Sequence, residues 1–199
     1  STLDGYKLEE NSPIMNTGVK VARNGGMDFF GNPVSSGGKP TPGAHELNGT
    51  ASGESEMIDK LNDWSNAFYY SPNLNLDSSN PQFFGGDGSR AVRATTDDGI
   101  ILYNLPNIKS VYLCVWYPTL TPQNIKIYGS YTGGDFANYI EIPVTYTTDS
   151  AVVEGWQKTT INTAGALPEG VNFIGVRIND PVNESWAVQI GEVAITYVE

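Results

Sequence analysis

Ser110-Val-Tyr-Leu-Cys-Val-Trp-Tyr117 alternates without a break. Successive side chains of an extended strand point to opposite sides, so Val111, Leu113 and Val115 share one face and Tyr112, Cys114 and Trp116 the other. Working outward, similar short runs recur between turn residues, at Ala91–Ala94, Gly99–Leu105, Ile125–Tyr128, Asn138–Val144, Trp156–Ile161, Asn172–Ile178 and Ala187–Val198. No stretch sustains a helical apolar period, and 22 glycines and 12 prolines punctuate the 199 residues. The expected fold is all-β, a two-sheet antiparallel β-sandwich of jelly-roll type with roughly eight or nine strands.

Organisation changes near residue 48. Residues 1–47 are turn-rich, with Asn24-Gly25-Gly26, Gly31-Asn32-Pro33 and Pro40-Thr41-Pro42-Gly43. Residues 48–56 are polar and read as a connector, and 57–199 carry the sandwich. Leu8, Ile14, Met15, Phe29 and Phe30 need a surface to cover, because exposing them together makes a large apolar patch. The sandwich or a neighbouring chain is the expected cover.

The net charge of −11 has no basic cluster to offset it. Phosphate backbones and anionic membranes are repelled, which argues against nucleic-acid and membrane partners. No apolar run is long enough for a membrane span. Ser1 follows no basic-then-apolar leader, as expected of a fragment of a longer chain. Cys114 is the single cysteine and sits in a strand, where an inert buried thiol is expected. His45 is the single histidine, which leaves no multi-histidine metal site and no evident Ser-His-Asp arrangement. No catalytic residue is assigned.

Strand parity also nominates a ligand face. Ile125 and Ile127 alternate with Lys126 and Tyr128; Ile174, Val176 and Ile178 alternate with Arg177; Trp186, Val188 and Ile190 alternate with Ala187 and Gln189. One sheet is therefore expected to show water an outer face rich in Tyr, Trp, Arg and Gln. Sugars need that combination, since aromatic rings cover their C–H faces and polar forks meet vicinal hydroxyls. The candidate contacts are Trp116, Tyr112, Tyr128, Arg93, Arg177 and Gln189, with Tyr69 and Tyr70 as loop contributors. Trp64 and Trp156 are assigned to the core.

Three segments of the N-terminal part, Tyr6–Gly18, Asp28-Phe-Phe-Gly-Asn-Pro33 and Pro42-Gly-Ala-His-Glu46, resemble in order the closing coils of secreted right-handed parallel β-helix proteins. Met15-Asn16 stands where that family commonly has Ile-Asp, and His45 where it has tyrosine. The resemblance implies a secreted, extracellular protein and a preceding carbohydrate-active β-helix domain, a glycoside hydrolase or polysaccharide lyase, as parent and partner. An irregular extension wrapping the sandwich is the alternative.

Ile58–Ser65, Asn73–Asp77, Phe84–Arg90 and Trp186–Tyr197 resemble bacterial carbohydrate-binding modules of galactose-binding-like jelly-roll type. That resemblance implies a non-catalytic module that holds the parent enzyme on plant or cell-wall polysaccharide. It also implies a structural calcium, for which Asp77, Asp87 and Glu192 are the candidate ligands among the roughly six to eight oxygens that the ion takes. The alternatives are a structural or adhesive domain that docks on the β-helix without binding sugar, and a catalytic jelly-roll lyase.

Overall fold

The alternation of residues 110–117 is realised within a long strand whose two faces meet different surroundings. The computed structural model describes residues 7–9, 12–19, 27–34, 39–46, 54–118, 125–178 and 184–198. Its strands are β1 (Glu54–Asp59), β2 (Tyr69–Tyr70), β3 (Leu74–Asp77), β4 (Arg90–Arg93), β5 (Gly99–Asn104), β6 (Ile108–Pro118), β7 (Ile125–Ser130), β8 (Ile140–Ile142), β9 (Val144–Val153), β10 (Trp156–Thr163), β11 (Phe173–Ile178) and β12 (Gln189–Val198). Among the described residues they form two antiparallel sheets, which makes the fold a β-sandwich. One is seven-stranded, in the order β3-β4-β12-β6-β10-β9 with β1 also on β12, and the other is five-stranded, β2-β5-β11-β7-β8.

The core lies between the sheets. Val111, Leu113 and Val115 of β6, Ile161 of β10 and Val193 and Ile195 of β12 face Ile101 and Tyr103 of β5, Ile125 and Ile127 of β7 and Ile174 and Val176 of β11, all essentially inaccessible. Asp59 ends β1 inside this core. It accepts the Tyr103 hydroxyl at 3.0 Å and the Leu61 amide at 2.8 Å, so neither buried donor is orphaned.

Two departures from the sequence reading have local causes. The run Asn138–Val144 is broken by Pro143, which lacks the N–H that a ladder needs; β8 ends at Ile142 and β9 begins at Val144 in the other sheet. In β12, Ile190 pairs with Val115 but Glu192 pairs with Cys114, so Gly191 is an extra, bulged residue. The bulge flips parity, and the core residues run Val188, Ile190, then Val193 and Ile195. Residues 54–56, read as connector, open β1, while 48–53 lie outside the described residues.

The chain divides into compact units Ser1–Glu54 and Ser55–Glu199. In the first, the segments that carry the β-helix resemblance are tied together. Leu8 N donates to His45 Nδ1 at 2.9 Å, the His45 ring packs edge-on against Phe30, and Asn16 N donates to Thr41 Oγ1. Asp28 accepts from Phe30 N, Asn32 N, Asn32 Nδ2 and Glu46 N at 2.6–2.9 Å. Buried Glu46 in turn accepts from Thr41 N and Oγ1. Ile14, Val19, Met27 and Phe29 stay exposed, while Leu8, Met15 and Phe30 are half-buried.

Desolvation raises the Asp28 pKa, but the donors from Glu46, Asn32 and Phe30 outweigh it and bring the value from 3.8 down to about 2. A carboxylate whose folded pKa is depressed stabilises the fold above its unfolded pKa. The amide shifts of Phe30, Asn32 and Glu46 should therefore hold constant above pH 3.8 and move together as pH falls through about 2. In Asp28→Ala they should be displaced at every pH. Shifts that ignore both changes would separate Asp28 from this arrangement.

Candidate glycan-binding face

The register of the five-stranded sheet maps its outer face row by row. Tyr69 lies opposite Leu102, Leu102 opposite Gly175, Gly175 opposite Tyr128 and Tyr128 opposite Glu141. Beside this row run Ile100, Arg177 and Lys126 on one side, and Asn104, Phe173 and Ser130 on the other. With strands about 4.8 Å apart, Tyr69 and Tyr128 stand roughly 14 Å from each other. Between them the row has no side chain at Gly175, and the Phe136 ring fills the space where a Cβ would stand.

Phe136 belongs to a short 3-10 turn, Phe136–Asn138, capped by Asp135, whose side chain accepts the Ala137 amide. This turn folds the loop between β7 and β8 back over the sheet. Phe136 meets Tyr128 edge-on at 5.1 Å and Tyr139 at 5.0 Å. At the β2 edge, exposed Phe68 meets Phe173 edge-on at 5.8 Å. The outcome is an aromatic band from Phe68 and Tyr69 through Phe136 to Tyr128.

The polar partners flank Tyr128. Arg177 Nε donates to Asp98 Oδ2 at 3.0 Å, with Nη2 on the same oxygen. That bond, with Tyr128 alongside, raises the Arg177 pKa above its ordinary value. Lys126 Nζ donates to Glu141 at 2.8 Å, which raises the lysine pKa as well. Each cation is matched by a carboxylate, so this end of the face is polar yet close to neutral. Glu141 also lines an apolar crevice of about 360 Å³ at the β8 edge, whose walls include Tyr131, Ile140, Pro143, Leu167 and Val171.

The structure brings together Tyr128, Arg177 and Tyr69, and separates the other candidates. Tyr112, Trp116 and Gln189 belong to the seven-stranded sheet, on the opposite outer face, so the single mixed face expected from parity does not exist. Trp116 and Gln189 are buried there; Gln189 accepts from Arg90 Nε at 2.7 Å. Tyr112 is half-buried beside Ala194 and Asn162. Arg93 is only 2% exposed, lies against Leu74 and Gly99 on the core side, and gives its guanidinium to the Thr96 and Asp97 carbonyls. It has no free fork for a hydroxyl. Tyr70 pairs with core-facing Ile101 and stacks on Trp64 at 4.2 Å, which turns its ring away from the outer row. Trp64 is packed against the core, but Trp156 lies on the outer face of the seven-stranded sheet, its ring tilted against Phe84 at 4.7 Å.

The three candidate calcium ligands do not gather. Asp77 is taken by Ser79 N and Arg90, Asp87 by Ser89 N and Trp116 Nε1, and Glu192 by Lys60. Protein cations already balance two of these carboxylates, and burial raises the pKa of Asp87. Among the described residues no group of three or more His, Cys, Asp or Glu converges on one point.

Phe136, Phe68 and Phe173 were missed as candidates. A loop phenylalanine folding onto a sheet has no periodicity to announce it; the one local signal was Gly175 at an outward position of an otherwise filled strand.

No family model matches the chain, and no curated protein does. Solved structures to which it is similar include the K3 adhesin domain of Lys-gingipain from Porphyromonas gingivalis, at 12% identity and a TM-score of 0.44, covering 72% of this chain and 98% of that one. A β-1,3-glucan-binding CBM6 from Bacillus halodurans is 15% identical, with a TM-score of 0.40 over 70% of this chain and 92% of its own. The catalytic domain of a GH87 α-1,3-glucanase in complex with nigerose is 10% identical, with a TM-score of 0.43 over 74% of this chain and 28% of its own.

Proposed function

We propose that the sandwich is a non-catalytic carbohydrate-binding domain that grips a neutral polysaccharide on the outer face of its five-stranded sheet. The observation that carries this reading is the single row from Tyr69 across Phe136 to Tyr128, with the Arg177–Asp98 and Lys126–Glu141 pairs beside it. Rings cover C–H faces of successive sugars, and the paired charges exchange hydrogen bonds with hydroxyls. Because each cation already has its carboxylate, an uncharged glycan fits better than a uronate polymer. A few such contacts, less the loss of freedom on association, give affinities of about −4 to −8 kcal/mol, micromolar to millimolar.

The biological role we assign is extracellular: holding a β-helix polysaccharide-degrading enzyme near its polymer, where tethering raises local substrate concentration. What supports it is the sequence resemblance of the N-terminal unit, whose matching segments are joined by the hydrogen bonds of Asp28 and His45. The exposed Ile14, Val19, Met27 and Phe29 of that unit favour, as a second reading, an adhesive domain that docks on protein.

Affinity electrophoresis tests the first reading. Gels contain β-1,3-glucan, α-1,3-glucan, β-1,4-glucan, xylan or galactan. At least one polymer should retard the wild type, and Tyr128→Ala should weaken that retardation about tenfold, near the upper end of a single aromatic contact. Arg177→Ala should weaken it too. Unretarded migration in every gel rejects the reading and leaves the adhesive one.

A further inference from the structure

The geometry points to a second carbohydrate-contact site, on the outer face of the seven-stranded sheet, formed by Trp186 over Trp156. It rests on the domain being directed to glycans, and it uses none of the residues of the first face.

The site is built from the turn upward. Glu154 and Gly155, both with positive φ, form a two-residue hairpin turn that sets Trp156 opposite Val153. Trp156 shares its face with Pro118 and Trp116 of β6. The 3-10 turn Pro81–Phe84 lays Phe84 beneath it, with centroids 4.7 Å from Trp156 and 5.8 Å from Trp116. Arg90 closes the underside, its guanidinium 3.9 Å from the Phe84 centroid. Trp186, from the turn Ser185–Ala187, then meets Trp156 edge-on at 5.9 Å and remains 51% exposed.

Trp186 is held from two sides. Its ring rests on Trp156, and its carbonyl accepts from Nε2 of Gln189, a side chain whose Oε1 accepts a hydrogen bond from Arg90 Nε–H. Arg90 itself is fully buried. An exposed indole fixed at both ring and backbone loses little freedom when a ligand covers it, which is what a preorganised contact requires. Charged residues lie near both indoles in sequence: Glu154 and Lys158 bracket Trp156, and Glu184 precedes the turn. Among the described residues, the exposed large apolar side chains here are Trp186 and Val153, which pairs with Trp156. That patch is the size of a sugar ring and far less than the roughly 800 Å² per partner of a stable protein interface.

Two contact sites on opposite outer faces would let one domain bridge two glycan strands. The test uses whichever soluble polysaccharide retards the wild type. Polymer should shield tryptophan emission from acrylamide quenching, and the shielding should persist in Tyr128→Ala but vanish in Trp186→Ala. Trp186→Ala should weaken retardation about 2- to 12-fold, and Trp186→Phe should restore most of it. Wild type should also raise turbidity with the polymer, and neither single variant should.

Unchanged quenching with bound polymer, and wild-type retardation of Trp186→Ala, overturn the second site and leave the first standing. Loss of retardation in Trp186→Ala but not in Tyr128→Ala removes the first site and keeps this one. Failure of every polymer to retard the wild type removes both. Sedimentation showing a dimer that Trp186→Ala dissolves would make the ring a protein contact and overturn the assignment.

Discussion

Arg90→Ala is expected to destabilise the sandwich by about 3–5 kcal/mol, the usual consequence of removing one member of a buried charged network. Arg90 has no exposed surface. Its Nε donates to Gln189 at 2.7 Å, Nη1 to the Asp87 carbonyl at 2.6 Å, and Nη2 to the Ser79 carbonyl at 2.6 Å, with Asp77 at 3.6 Å and the Phe84 ring beneath. Desolvation lowers its pKa, while Asp77 and Asp87 raise it, and the net direction is down, so burial outweighs the two carboxylates. Alanine leaves Gln189 and two carbonyls without a donor and opens a gap under Phe84. The thermal midpoint should fall by roughly 10–15 °C. Arg90→Met, which fills the space without the donors, should recover part of the loss. A drop below about 1 kcal/mol for Arg90→Ala, which is typical of surface pairs, would show that the network contributes little.

A second large effect is expected with alkali. Burial raises the Cys114 thiol from 9.0 to about 11, and burial together with the Asp59 charge raises Tyr103 well above 10.0. Both are acids kept neutral in the folded chain, so between the unfolded and folded pKa values the native state holds protons that the unfolded state has released. Stability is therefore complete below about pH 9 and falls as pH rises. At about 1.4 kcal/mol per pH unit, Cys114 alone accounts for a loss of about 2 kcal/mol by pH 11, with Tyr103 adding to it above pH 10. Urea unfolding at pH 8 and pH 11 measures this directly. Cys114→Ala should flatten the decline between pH 9 and 11, and Tyr103→Phe should flatten it above pH 10. A wild type equally stable at both pH values would place these groups in contact with water.

The strands were legible because their chemistry is local. Residues 110–117 alternate in the sequence and alternate in the sheet, and Ile125/Ile127 and Ile174/Val176/Ile178 face the core as parity requires. Parity failed where one residue shifted the count. Nothing in Gln189-Ile-Gly-Glu192 marks Gly191 as a bulge until β6 lies alongside. Strand β9, Val144-Thr-Tyr-Thr-Thr-Asp-Ser-Ala-Val-Val153, went unread for a related reason: as an edge strand it is exposed along most of its length and carries little apolar alternation.

The candidate site was legible residue by residue but not as a place. Tyr128 and Arg177 are close because β7 and β11 are neighbours, and Tyr69 joins them through β5. Trp116 and Gln189 have the same chemistry and the same outward parity, but Phe84 and Arg90 cover them.

By itself the sequence determined that this is an all-β chain and which residues of its regularly alternating strands, such as β6, β7 and β11, face the core. Only the tertiary structure decided which outward residues share a sheet, which are roofed over, and which remain open to a ligand. Alternation is a property of one strand, carried by the bond geometry of adjacent residues. Adjacency between strands depends on pairing over long sequence separations, and exposure depends on loops such as 81–84 and 136–138 whose docking no local pattern records.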